Sequence, residues 1–274
     1  MSDYREAIDA VLQEVGRAVV GKEEITEKIM MAILAGGHIL VEDIPGMGKT
    51  TMALAFSKAM GLEEKRVQFT PDVLPADLTG FTLYQKATEQ FVYQPGAVMC
   101  NLLLADEINR ASSRAQSALL EAMEERQITV DGRTYPLEKP FVVIATQNNV
   151  GTAGTQFLPY AQVDRFMVRL SVGYPDHDAQ MALLKDRLSE NPLDAVSQVL
   201  TREELLAMQA EARAVQTSDA LLDYIPADDG FPRSRRDRGR RQPARRAASL
   251  PNGESARVSA RPRFCRQRRR AGGV

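Results

Sequence analysis

From Tyr4 to Val19 the apolar positions Ile8, Val11, Leu12, Val15 and Val19 follow a helical period, which predicts an amphipathic helix. A second helix is predicted from Glu23 to about Ala35, with Ile25, Ile29, Ala32 and Ile33 on one face. Then the period changes. Ile39-Leu40-Val41 is a wholly apolar run that reads as a buried strand entering a glycine-rich turn, and Thr50 to Met60 reads as a helix stopped by Gly61. Strands are predicted at Arg66–Thr70, Leu102–Ala105, Phe141–Ala145 and Met167–Val172, with a strongly amphipathic helix at Ser113–Arg126. Ile128-Thr129-Val130 and Arg133-Thr134-Tyr135 flank Asp131-Gly132, a dipeptide that supplies the positive φ angles of a tight hairpin. Strands alternating with helices predict an α/β fold, a parallel sheet covered on both faces. From Asp176 to Tyr224 the pattern is purely helical (Ala179–Leu188, Glu203–Val215 and a start at Ser218), as for a smaller helical subdomain.

Composition adds limits. At 274 residues, 44% apolar and 26% charged, the chain has ample material for a buried core. No apolar run reaches the roughly 18 residues needed to cross a bilayer, and the N-terminus lacks the pattern of a secretion signal. The two cysteines, Cys100 and Cys265, make no disulfide framework, so a reducing cytoplasm is expected. With only His38 and His177 beside them, a zinc site is not expected. The net charge of −1 hides two regimes: residues 226–274 hold 15 Arg, no Lys and 4 acidic residues, whereas residues 1–225 hold 20 basic and 32 acidic ones.

The candidate chemistry begins at Pro45-Gly46-Met47-Gly48-Lys49-Thr50-Thr51, between the predicted strand and helix. Glycines there let backbone N–H groups turn inward around an anion, and the helix start adds its positive dipole end. Lys49 would supply charge to the β- and γ-phosphates of ATP, and the Thr50 hydroxyl would ligate Mg²⁺. Asp43 stands where the pattern G-x-x-x-x-G-K-S/T has its first Gly. Leu102-Leu103-Leu104-Ala105 runs into Asp106-Glu107, a strand expected to lie beside the phosphate-loop strand. That would place Asp106 near Mg²⁺ and let Glu107 polarise a water for in-line attack. Asn148, just past the Phe141–Ala145 strand, either hydrogen-bonds the same water or γ-phosphate or merely opens a loop.

These blocks together resemble a family. Val41 to Thr50 looks like the phosphate loop of MoxR-type AAA+ ATPases, where Asp commonly replaces the first Gly. The similarity continues through Gln68-Phe69-Thr70-Pro71-Asp72, Leu104 to Ala111, Ala118 to Arg126, Ile144 to Asn148, Leu158-Pro159 and Asp164-Arg165-Phe166. The resemblance implies an AAA+ P-loop NTPase core, a parallel sheet between helices over residues 1–173. An incomplete α-helical lid over 174–225 would follow. Val20-Gly21 matches the segment that contacts the base, although Lys22 stands where the family usually has Gln. Asn148 matches sensor 1 and Arg165 the arginine finger that reaches a neighbour's γ-phosphate; Asn149 departs from the family's Pro. Gly80 to Gly96 resembles the hairpin inserted in helix 2, and Ile128–Leu137 the hairpin before sensor 1. Members are similar to chaperone-like ATPases, usually hexameric, that work with von Willebrand A-domain proteins on protein clients. The same fold also serves nucleic-acid motors and metal-chelatase subunits, and a truncated lid would leave an ATP-binding module with impaired hydrolysis.

The tail does not fit. After Tyr224 nothing matches the family's remaining lid helices or its second-sensor arginine, and residues 226–274 show sparse apolar positions without period. Such a segment cannot bury enough surface to offset the entropy of ordering. Arg, Pro, Ala, Gly and Ser share GC-rich codons. That favours a reading frame translated out of register over a disordered native tail, and either over a nucleic-acid arm. Nucleic acid is therefore not an expected partner, nor is a membrane.

Overall fold

In the computed structural model, residues 4–42, 48–147, 158–171 and 192–215 are described. Helices α1 (Tyr4–Ala18) and α2 (Glu23–Leu34) precede strand β1 (Ile39–Glu42) and helix α3 (Lys49–Ala59). Next come β2 (Glu64–Gln68), the short α4 (Pro75–Thr79), the hairpin strands β3 (Gly80–Gln85) and β4 (Gln90–Pro95), and β5 (Leu102–Asp106). Helix α5 (Ser113–Glu125), hairpin strands β6 (Gln127–Val130) and β7 (Arg133–Pro136), and β8 (Val142–Gln147) follow. Then come α6 (Tyr160–Val163), β9 (Val168–Leu170) and α7 (Arg202–Ala214). The helices expected at Ala179–Leu188 and from Ser218, and the tail 226–274, lie outside the described residues. The chain divides between Gln216 and Thr217, and only the first unit contains described residues.

Five strands form one parallel sheet in the order β2-β5-β8-β1-β9. Side chains alternate across a sheet, and the core divides accordingly. Ile39, Val41, Leu102, Leu104, Val142 and Ile144 pack with α1, α2 and α3 on one face. Leu40, Leu103, Ala105, Val143 and Ala145 pack with α5 on the other. Strands buried on both faces have no polar alternation, which is why they read as continuous apolar runs. Helix α7 joins the first face through Leu205 and Met208, and its Gln209 Nε2 donates to the Ile33 carbonyl at 2.7 Å.

Two boundaries move. β2 begins at Glu64 rather than Arg66 and stops at Gln68, and β9 covers Val168–Leu170 of the expected Met167–Val172, of which Val172 lies outside the described residues. One neighbour relation is corrected as well. β5 does not lie beside β1, because β8 pairs with both and separates them. β8 is as apolar as β5, so sequence order alone could not rank them. The hairpin Gly80–Pro95, expected from resemblance rather than from period, is present. A Cβ at Gly80 would meet the Gln94 carbonyl oxygen at 2.2 Å, so the base of this hairpin needs glycine.

His38 fastens the amino ends of the sheet. Its Nδ1 accepts from the Val143 N–H at 3.0 Å, which leaves Nε2–H to donate to the Met123 carbonyl at 3.2 Å. Burial is the largest cause of a pKa lowered to about 4, and Arg126 adds to it while the Met123 carbonyl opposes it. The stability this neutral ring provides is fully present above its unfolded pKa, near 6.5. Between there and about pH 4 the unfolded chain binds a proton that the folded chain refuses, so stability falls with pH. The expected loss over that window is about 3 kcal/mol. Urea midpoints measured from pH 7.5 to 4.5 check it. His38→Asn should be less stable throughout but show a shallower slope.

Candidate active site

In a parallel sheet every strand delivers its carboxyl end to the same edge. Here that edge carries Glu42 from β1, Asp106 from β5 and Gln147 from β8, in register Glu42↔Gln147 and Ala105↔Ala145. Helix α3 starts with Lys49, so Lys49, Thr50 and Thr51 form its first residues. Gly48 precedes it with φ +76°, a left-handed conformation that glycine takes without strain; space around it is open, so the angle alone requires it. Asp43, Pro45, Gly46 and Met47 lie outside the described residues, as does Asn148. Gly21 has φ +72° and donates its N–H to Glu23 Oε1 at 3.2 Å, after a half-buried Val20.

The acidic pair is held by its neighbours. Thr146 on β8 is 1% exposed, and its hydroxyl donates to Asp106 Oδ1 at 2.6 Å. The Thr146 hydroxyl oxygen in turn accepts the Glu107 N–H at 2.8 Å. Glu107 sits at φ 55°, ψ 47°, a left-handed backbone uncommon for a side chain of this size. Such strain persists where the surroundings over-determine it, and it concentrates at functional positions. Thr146 supplies that constraint with one hydroxyl used twice. From the other side, on β2, Arg66 Nη2 donates to Asp106 Oδ2 at 2.8 Å and to Gln68 Oε1 at 3.1 Å. Gln68 Nε2 donates to Glu107 Oε2 at 3.2 Å, and Arg110 Nη1 to the same oxygen at 2.6 Å.

Arg165 lies elsewhere. It precedes β9, whose Val168 pairs with Ile39 at the start of β1, and the neighbouring Met167 N–H donates to the His38 carbonyl at 2.8 Å. It thus stands at the amino ends of the strands, opposite the edge bearing Asp106. There it pairs with Glu124 of α5, on the rim of a cavity of about 310 Å³ that also takes in Gly37, Arg126 and Asp164. A strand of four residues spans roughly 13 Å, which separates this arginine from its own chain's acidic pair. Cys100 is fully buried and burial pushes its thiol up to about 12, so it takes no part in nucleophilic chemistry.

The sequence singles out Asp106, Glu107, Lys49 and Thr50; Asp106 and Glu107 stand at the carboxyl end of β5, and Lys49 and Thr50 open α3. Sequence reading missed Thr146, Arg66, Gln68 and Arg110. The available signal for Thr146 was a polar residue ending an apolar strand, and for Arg66 and Gln68 an i, i+2 pair at the close of another.

Residues 38–168 match the model of the ATPase family associated with various cellular activities (AAA). The chain is 44% identical over 223 residues to the uncharacterized protein YeaC of Bacillus subtilis, covering 81% of this chain and 70% of that one. It is 39% identical to chaperone MoxR1 of Mycobacterium tuberculosis over 80% of its own length, but spans only 57% of that protein. The solved structure of a candidate ATPase from Cytophaga hutchinsonii superposes with a TM-score of 0.73 at 39% identity, over 82% of this chain and 68% of that one.

Removing the Thr146 hydroxyl in Thr146→Val leaves the partly buried Glu107 N–H without its acceptor. The expected cost is about 1–3 kcal/mol of stability in urea unfolding, with Thr146→Ser restoring most of it.

Proposed function

We propose, from the premise that the chain belongs to the MoxR-type AAA+ ATPases, that it binds Mg²⁺–ATP at the carboxyl edge of its sheet and hydrolyses it within a ring. The observation that carries this reading is the strained Glu107, fixed by Thr146 beside Asp106 on the edge where α3 begins. Lys49 meets the β- and γ-phosphates at the start of α3, with the helix dipole behind it. Val20 and Gly21 flank the base, and residues 43–51 wrap the phosphates. Glu107 orients the attacking water and takes its proton, and Asn148 holds the γ-phosphate end. One carboxylate, Asp106, and one hydroxyl, Thr50, form an oxygen-only donor set. It fits Mg²⁺, which binds through few protein ligands together with phosphates. When bound, the ion draws negative charge off the phosphate oxygens.

Arg165 serves the next subunit. Its place at the edge opposite its own Asp106 supports action in trans, and a homo-hexamer is the assembly that closes such head-to-tail contacts. Remodelling of protein clients, together with a von Willebrand A-domain partner in the cytoplasm, completes the reading. Its domains are a nucleotide-binding core at 1–173, a partial lid at 174–225 and a tail at 226–274. Among the described residues no helix is long and apolar enough to cross a membrane. The change of composition near Ile225 favours a second reading, an ATP-binding module whose lid no longer supports turnover.

Three variants separate these readings. Lys49→Ala should abolish ATP binding in equilibrium dialysis. Glu107→Gln should keep binding but lose turnover by about 10²–10⁴-fold. In the intact ring, Arg165→Ala should lower turnover by about 10³–10⁵-fold. Binding without any Glu107-dependent turnover would establish the second reading. Activity unaffected by assembly or by Arg165→Ala would rule out the trans finger, and stimulation by DNA would indicate a motor instead of a chaperone.

A further inference from the structure

Asp106 is gripped from both sides by donors of unlike character. On β8 the Thr146 hydroxyl takes Oδ1 at 2.6 Å, a neutral bond from a buried group. On β2 the Arg66 guanidinium takes Oδ2 at 2.8 Å, a full positive charge on a side chain 45% exposed against 16% for Asp106. Register places the two strands for this contact, since Gln68 stands opposite Asp106 and Arg66 opposite Leu104. Residues two apart on a strand share a face, so Arg66 and Gln68 both look along the edge. Gln68 joins the halves of the acidic pair: its Oε1 accepts from Arg66 at 3.1 Å while its Nε2 donates to Glu107 Oε2 at 3.2 Å. Among the described residues, Glu64 on the same strand and Arg110 on Glu107 also face this group.

An ion pair this exposed contributes little to folding, on the order of 0.2–1 kcal/mol. Its location gives it another consequence. Oδ2 of Asp106 is one of only two oxygens the carboxylate can offer a cation, and the other is already bonded to Thr146. We propose that Arg66 is a resident counter-cation of Asp106 that competes with the divalent ion for Oδ2 and so sets the Mg²⁺ concentration the site requires. Arg66 is a positioning residue, acting through Asp106. When a divalent ion draws Asp106 away, Arg66 loses its main acceptor. The Gln68 amide, bonded to Arg66 at one end and to Glu107 at the other, carries that change to the second carboxylate. Arrival of the metal thereby also loosens the Gln68 bond to Glu107, while the Arg110 ion pair on that carboxylate remains.

The inference rests on the reading of Asp106 as a metal ligand, and the test separates the two. Mn²⁺ is titrated into the full chain with saturating adenylyl imidodiphosphate, and free Mn²⁺ is followed by electron paramagnetic resonance, which needs no turnover. Arg66→Gln should tighten Mn²⁺ by about 1.4–5-fold, the equivalent of the exposed pair's energy. Arg66→Lys, which keeps the charge, should stay close to the parent, a result that loss of structure would not give. Should the Gln variant unfold, Arg66→Ala serves in its place. Unchanged or weaker binding in Arg66→Gln, or equal shifts in the Lys and Gln variants, overturns the inference. Asp106→Asn should weaken Mn²⁺. If it does so while Arg66→Gln fails to tighten it, the inference alone falls. If Asp106→Asn has no effect, the metal-ligand reading falls with it.

Discussion

Parallel pairing of β5, β8 and β1 is the constraint on which the site depends. It sends three chain segments, far apart in sequence, to one edge with their polar ends in register. Nothing in the loops needs to create the convergence, because the ladder does so. Parallel strands carry a requirement in return: both faces must be covered, and the chain meets it with α1, α2 and α3 on one side and α5 on the other. α7 extends the first face, so part of the segment expected as a lid contributes to the same apolar cluster as α1 and α2. The strands are therefore too apolar to slide, since a shift of one residue would exchange their two buried faces while leaving Asp106 out of reach of Thr146.

At each end of β8 a polar side chain ties it to its neighbours, His38 at the start and Thr146 at the close. At its start His38 takes the Val143 N–H and gives a hydrogen to Met123 of α5. At its end Thr146 takes the Glu107 N–H and gives a hydrogen to Asp106. Each side chain both accepts and donates, and each is buried, so neither can be exchanged for an apolar residue without orphaning a partner. His38 cements layers; Thr146 holds chemistry. The difference comes from what lies across from each: a helix carbonyl in one case, a carboxylate and a strained backbone in the other.

The sheet, its helices and the Asp131-Gly132 hairpin were legible because each is written in a local period or a turn dipeptide. The order of the strands was not. β5 and β8 are equally apolar, and only the structure shows β8 inserted between β5 and β1. Ends were misjudged where the chain leaves the strand while still buried, as at Phe69, whose N–H donates to the Asp106 carbonyl although it lies beyond β2. In the candidate site, Lys49, Thr50, Asp106 and Glu107 stand out in the sequence because the phosphate and metal chemistry proposed for them demands particular residue types in fixed order. Thr146 and Arg66 were hidden for the opposite reason. Threonine and arginine at strand ends are ordinary, and their role arises only from which carboxylate the register sets against them.

That contrast bears on how the edge handles charge. Two carboxylates in sequence at the end of an apolar strand repel each other and, if left alone, would resist burial. The chain neutralises them one at a time: Arg66 on Asp106 from β2, Arg110 on Glu107 from the turn that follows. Both cations are half exposed, so both can leave without stranding a buried charge, whereas the Thr146 hydroxyl stays. A neutral anchor with removable cations suits an edge proposed to receive a metal ion and a triphosphate. The permanent bond preserves geometry, and the exchangeable ones keep the carboxylates compensated until other positive charge replaces them. An edge built the other way, with the arginines buried and the hydroxyl exposed, would hold the acidic pair more firmly and could not give it up.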